Sequence, residues 1–263
     1  MSPAGRDGVQ VWTTLDVNTV FTNYKIESHN NNEITVEVSA ESLARVLRSA
    51  VGALEVMLRL GKRDREPLLS WSIAMTSQNG TRLDVVQELV VRILRASELA
   101  LIVEPMCPTP DVYIVMPPLS EMHAMSELMR TLSSYVSLSA NQQGTLKLSL
   151  SDQHVEGSAC WFQLEHPQVH TQANDNHASN TSPDAFHEVH ISMKAMQNVF
   201  SCASMAKSTV ACICAGYCVV FYVYISGASQ HRSIHQTNGP QQVRGVVNFK
   251  FKFHQPEAVS LLR

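Results

Sequence analysis

No stretch of this chain supplies the backbone cradle that phosphate chemistry needs: G-x-x-x-x-G-K-[ST] and G-x-G-x-x-G are both absent, as is the G-x-S-x-G nucleophile turn. Charged side chains are scarce at 16%, and the net charge of -3 favours no polyanion. Nucleic-acid binding would therefore require positive groups gathered on one surface, because phosphate attraction follows local charge. Met1 to Gly8 is polar and lacks the apolar core of a signal peptide, so the 6 cysteines read as reduced intracellular thiols. A spanning helix is also missing. Thr209–Ser226 is uncharged and approaches the needed length, but its β-branched and aromatic residues around Gly216 predict two strands joined at Ala215, Gly216 and Tyr217. What remains is 44% hydrophobic residues over 263 positions, enough for one large or two ordinary folded domains.

Candidate reactive groups are thin. His187, Glu188 and His190 lack the two-residue spacer of H-E-x-x-H, and the alternating strand they begin cannot set two histidines one helical turn apart. His166 and His170 have helical spacing, but Pro167 and polar neighbours predict a loop. Cys212, Cys214 and Cys218 read as small buried hydrophobes. No catalytic residue, metal ligand or cofactor is expected; the metal alternative is a hydrolase built on the His-rich loop.

One pattern occurs three times: an alternating strand running almost directly into an amphipathic helix. The copies are Ile34–Val51, Val112–Leu132 and Val189–Ala206. Ser39 is the first helix's candidate cap, with Ser42 as its rival. That helix is expected to bury Leu43, Val46, Leu47, Ala50 and Val51. The second should bury Met122, Met125, Leu128, Met129 and Leu132, and the third Met193, Met196, Val199, Phe200 and Ala203. Further alternating segments, among them Val9–Leu15, Thr22–Glu27, Val56–Leu60 and Leu69–Met75, make strands dominate. The sheets should be antiparallel and covered on one face. Pro105, Pro108 and Pro110 mark a stiff connector over 97–110 between a first domain (1–96) and a second (111–263), which carries long polar loops at 165–188 and 226–245.

In Asn31–Ala50 (NNEITVEVSAESLARVLRSA), Pro110–Met129 (PDVYIVMPPLSEMHAMSELM) and His187–Phe200 (HEVHISMKAMQNVF) the chain resembles the Hus-type subunit of the 9-1-1 DNA-damage checkpoint clamp, a relative of the replication clamp PCNA. The resemblance runs from about Val9 to the end and rests on order, spacing and the strand-into-helix junctions. It implies an α+β, PCNA-like DNA-clamp fold of two similar domains, antiparallel sheets outside and helices lining a central hole. It further implies a non-catalytic nuclear subunit joined to two different clamp subunits, loaded on duplex DNA by an ATP-driven clamp loader, and holding repair enzymes there. A replication-type homotrimer is the alternative within the clamps.

On the outward helix faces Arg45, Arg48, Arg130, Lys194 and Lys207 would meet phosphates, opposed by Glu41, Glu121 and Glu127. By the same resemblance, subunits would join through edge strands, one carrying Asp84, Val86, Leu89, Val91 and Ile93, the other Cys160, Phe162 and Leu164. The chain departs from the family in lacking a leading strand, channel helix and two strands, roughly fifty residues by the usual content of a clamp domain. The first domain is thus expected to be incomplete, with the apolar face of its remaining sheet exposed. The second departure is the insertion at 226–245.

Overall fold

Serine caps turn strands into helices at two of the three expected junctions of the computed structural model, and a proline occupies the cap position of the third. The structure describes residues 9–102, 104, 106–152, 155–167, 182–225 and 245–252. In chain order the elements are β1 (Val9–Leu15), α1 (Val17–Val20), β2 (Val36–Glu37), α2 (Ala40–Ser49), β3 (Glu55–Arg63), β4 (Glu66–Thr76), β5 (Arg82–Val90), β6 (Arg92–Ile93) and α3 (Ala96–Leu99). They continue with β7 (Val112–Val115), α4 (Leu119–Arg130), β8 (Tyr135–Ala140), β9 (Leu146–Ser151), β10 (Glu156–Trp161), β11 (His187–Ser192), α5 (Met193–Phe200), β12 (Ala206–Cys214), β13 (Cys218–Ile225) and β14 (Gly245–Lys252). Ser39 Oγ accepts from the Ser42 N–H at 3.4 Å and Ser192 Oγ from the Ala195 N–H at 3.2 Å, so each hydroxyl meets a donor the first helical turn leaves open. At α4 Pro118 occupies the cap position without a side-chain bond; its carbonyl accepts from the Glu121 N–H at 2.9 Å and its fixed φ starts the turn.

The described residues through Tyr24 group with those from Glu104 onward, and those from Lys25 to Ile102 form a second unit. In the larger unit one sheet has the order β1-β14-β13-β12-β7 and the other β10-β9-β8-β11; every pairing is antiparallel. Both sheets and helices α4 and α5 contribute to one core, in which Ile114, Met122, Leu138, Leu146, Leu148, Ile191, Met196 and Phe221 are fully enclosed. Period-two burial in β9 puts Leu146, Leu148 and Leu150 inside and leaves the residues between them partly wet, the expected signature of a sheet covered on one face. The β8–β9 hairpin is fixed by Asn141, whose Oδ1 accepts from Gln143 N–H at 3.1 Å and Thr145 N–H at 2.9 Å. Gly144 follows with φ +80, and a Cβ there would stand 2.2 Å from the Leu164 carbonyl oxygen, so only glycine fits.

In the smaller unit β3, β4 and β5 form one antiparallel sheet and β2 pairs with β6. Helix α2 lies over Trp71, Ile73, Leu69, Met75, Val85 and Leu89 through Leu43, Val46 and Ala50. It covers only part of that face. Val56, Leu58 and Leu60 of β3 stand opposite Ile73, Trp71 and Leu69 in register, yet remain exposed, as do Leu47 (50%) and Val51 (79%) of α2.

The structure corrects several readings. Val9–Leu15 does not sit with the rest of 1–96: it is the edge strand beside β14, with Val9 opposite Phe251 and Leu15 opposite Gly245. An alternating segment joins whichever sheet edge offers open hydrogen-bonding groups, irrespective of chain order. Thr22–Glu27 forms no strand; Phe21 and Tyr24 instead pair their rings at 5.8 Å, and Lys25 and Glu27 form a surface ion pair. Leu47, Val51, Leu128 (67%) and Leu132 are exposed, because the buried stripe of α4 runs through Leu119, Met122, Ser126 and Met129 and that of α2 is narrower than the apolar residues available. Helix α3 occupies the start of the expected connector 97–110, and the 165–188 loop ends where β11 begins at His187. The stretches 168–181 and 226–244, most of the two expected loops, lie outside the described residues.

Candidate nucleic-acid interface

Helices α4 and α5 run antiparallel, because Glu127 meets Gln197 (Oε1 accepting from Nε2 at 2.8 Å) while His123 meets Phe200 edge-on at 5.9 Å. That order puts Arg130 and Lys194 at one end of the helix pair, where the Met193 N–H also donates to the Ser134 carbonyl at 2.9 Å. Lys207 is the second residue of the strand that follows α5, at the register shift between Ala206 and Ser208. All three cations are exposed. Glu127 is the counterweight: it also accepts from Arg130 Nη2 at 2.9 Å and stands 3.7 Å from His123 Nε2. Glu121 is drawn away from the cations, accepting from Trp161 Nε1 of β10 at 2.7 Å.

In the smaller unit α2 presents Arg45 and Arg48 on its exposed face. Arg45 Nη2 pairs with Glu41 at 3.2 Å, one helical turn earlier, whereas Arg48 has no ion pair among the described residues; nor has Lys207. Exposed same-helix pairs of this kind hold their partners weakly, at about 0.3–0.5 kcal/mol each. A phosphate can therefore compete for Arg45 and Arg130.

The expected joining strands divide. Among the described residues β5 and β10 are edges of their sheets. Asp84 and Val86 are exposed on β5, with Asp84 paired to Arg82 at 3.0 Å, and Cys160 is exposed on β10. Leu89 faces α2 and is half-buried. Val91 is buried, its N–H given to the Pro67 carbonyl at 3.0 Å, so it offers nothing to a neighbour. Ile93 belongs to β6. Phe162 and Leu164 lie past the end of β10: Phe162 is 68% exposed, but Leu164 packs on the core and donates its N–H to Gly144 at 2.9 Å.

Beside the β12–β13 hairpin the connector forms one wall of an open pocket of ≈ 360 Å³ lined by Met106, Cys107, Pro108, Tyr113, Cys212 and Tyr222, among others. The hairpin turns at Ala215, Gly216 and Tyr217 as expected. Burial pushes the Cys212 thiol up to about 12 and raises those of Cys214 and Cys218, so these are neutral thiols at physiological pH. His190 Nδ1 lies 2.6 Å from Ser137 Oγ, and His187 Nδ1 stands 4.0 Å from Asp111. Among the described residues no three His, Cys, Asp or Glu side chains are placed to hold a metal, and no helix is long and apolar enough to cross a membrane. His170 and its loop lie outside the described residues.

Residues 1–236 match the family model for "Hus1-like protein". The chain belongs to the Hus1-like family. It is 34% identical over 221 residues to "Checkpoint protein hus1" of Schizosaccharomyces pombe, covering 82% of this chain and 77% of that protein. With "Checkpoint protein HUS1" of Homo sapiens the identity is 26% over 189 residues (71% of this chain, 66% of that protein), and with the Dictyostelium discoideum "Checkpoint protein hus1 homolog" 30% over 165 residues (62% and 59%). Hus1-like proteins are subunits of the checkpoint clamp of the DNA-damage response, and the α+β architecture of antiparallel sheets with few helices agrees with that family.

For this Hus1-like chain the structure shows how each carboxylate set against the cations is engaged: Glu41 with Arg45, Glu127 with Arg130, and Glu121 with Trp161 instead. Glu127 ties together His123, Arg130 and Gln197, and the i, i+3 and i, i+4 spacing of His123, Glu127 and Arg130 is the signal from which two of those contacts can be read. No sequence signal announced the contact with Gln197.

Proposed function

We propose that this chain is one of three different subunits of a closed clamp around duplex DNA, with the outward faces of α2, α4 and α5 turned to the double helix. The supporting observation is that Arg45, Arg48, Arg130, Lys194 and Lys207 are all exposed, four on helices and one beside them, with only exposed same-helix carboxylates holding Arg45 and Arg130. Such a surface binds phosphates through counterion release without reading bases. Subunits join at the free edges β5 and β10, completing sheets across the boundary. The proline-rich segment 97–110 connects two clamp domains. The protein acts in the nucleus as a tether for repair enzymes and has no catalytic centre; the ATP chemistry belongs to the clamp loader.

The test reverses Arg45, Arg48, Arg130, Lys194 and Lys207 together in the ring assembled with its two partner subunits. Retention on circular DNA should fall and lose most of its salt response; unchanged retention and salt response would remove these side chains from the duplex. Size measurement of the chain alone and with partners checks the assembly, and a stable self-trimer would replace the heterotrimer with the homotrimeric clamp. Stoichiometric zinc in untagged protein would favour the hydrolase reading instead.

A further inference from the structure

Four of the six cysteines gather where the connector crosses the β12–β13 hairpin. Cys107 and Cys212 line the same pocket, and Cys214 stands opposite Cys218 in the strand register. The register sets Cys218 beside Cys214, whose Sγ reaches the carbonyl of Pro108, the residue next to Cys107, and the Cys107 thiol neighbours that of Cys218. The connector is laced down beside them: Cys214 Sγ donates to the Pro108 carbonyl at 3.4 Å, the Asp111 N–H to Ile213 at 2.9 Å, and the Ala215 N–H to Asp111 Oδ2 at 2.7 Å. Only Cys107 among the four is partly open to solvent; Cys212, Cys214 and Cys218 are buried. A lone buried thiol is simply a small hydrophobe, but a half-exposed thiol beside buried ones has the accessibility of an attacking cysteine and a resolving partner within the same cluster.

We propose that Cys107 and Cys218 are a redox modification site, converted by a hydroperoxide into a disulfide that staples the connector to the hairpin. The Cys107 thiolate attacks the peroxide O–O bond, taking one oxygen as sulfenic acid and releasing the other as water or alcohol. The Cys218 sulfur then displaces that hydroxyl: the S–S bond forms, the S–O bond breaks, and the leaving hydroxide departs as water with the Cys218 proton. Two thiols are oxidised and one peroxide is reduced. Burial favours the neutral form of Cys218, so its proton leaves with the displaced hydroxide as the S–S bond forms. The staple joins residues far apart in sequence within one unit of the fold and holds the Met106–Pro108 segment against the pocket. It does not depend on ring assembly, so it stands or falls apart from the clamp reading.

The experiment treats the folded, untagged full chain with hydrogen peroxide, blocks remaining thiols by alkylation, and maps peptides without reductant. The expected product is a link, lighter by two hydrogens and reversed by dithiothreitol, between the peptides carrying Cys107 and Cys218. Alkylation of Cys107 should drop about tenfold after peroxide. The link should vanish in C107S, which alters a partly exposed position, and in C218S, and persist in C214S and C160S. A link that survives C218S, one that joins Cys214 to Cys218 while Cys107 stays alkylatable, or oxidation of Cys107 that ends in sulfinic acid would each overturn the proposal.

Discussion

Replacing Arg48 and Lys207 by glutamine isolates the two proposed phosphate contacts that are not restrained by a neighbouring carboxylate among the described residues. Each phosphate neutralised releases condensed counterions, and the slope of log K against log salt concentration changes by about 0.9 per contact on duplex DNA. Loss of both contacts should flatten the slope by about 1.8. Over a fourfold rise in salt, the parent ring should then lose about twelvefold more affinity than the double variant. Arg45 and Arg130 start from pairs with Glu41 at 3.2 Å and Glu127 at 2.9 Å, which a phosphate must first displace. At about 0.3–0.5 kcal/mol per exposed pair this penalty is small, roughly a factor of two each. The opposite substitutions, Glu41→Gln and Glu127→Gln, should therefore raise affinity and steepen the slope. The assay is fluorescence anisotropy of labelled duplex titrated with the assembled ring at several salt concentrations. Equal slopes for parent, the Arg48/Lys207 variant and the Glu41/Glu127 variant would refute the placement of these faces against DNA.

Gly144→Ala should destabilise the larger unit by ~3 kcal/mol, from the left-handed backbone and the clash with the Leu164 carbonyl; an unchanged urea midpoint would refute the close approach. Leu138→Ala, in a fully enclosed site, should cost about 2–5 kcal/mol in the same assay. Glu98 is held below the usual carboxylate range, first by the Arg95 N–H and then by Arg92. A depressed carboxylate stabilises above its unfolded pKa and loses that contribution as pH falls through the folded value. Protection of the Arg95 amide from exchange, relative to its intrinsic rate at each pH, should accordingly fall on acidification below that range, and Glu98→Gln should abolish the dependence. Iodoacetamide at neutral pH should label Cys160 first and leave Cys212, whose thiol burial pushes up to about 12, protected until the chain unfolds.

Periodicity exposed the strand-to-helix junctions because both signals are local: a serine hydroxyl finds its own first-turn donor, and alternate leucines of β9 fall on one face whatever lies above. The uncharged Thr209–Ser226 run resolved into β12 and β13 for the same reason. Long-range pairing was less legible. That β1 would seek β14 is encoded in no local pattern, and the width of the α2 and α4 stripes depends on what covers them, so Leu47, Val51 and Leu128 read as core yet face outward. For the candidate interface, residue type revealed the cations, but the Gln197 contact that anchors Glu127 required the tertiary arrangement of two helices.

The partly roofed sheet of the smaller unit has a practical corollary. Among the described residues Val56, Leu58 and Leu60 lie on the outermost strand of their sheet, whose backbone donors and acceptors no other described strand pairs, a combination that invites sticking between identical molecules. Purified by itself at high concentration, the polypeptide should scatter light and precipitate with time. Replacing Leu58 by lysine should delay that clouding without unfolding the neighbouring strands.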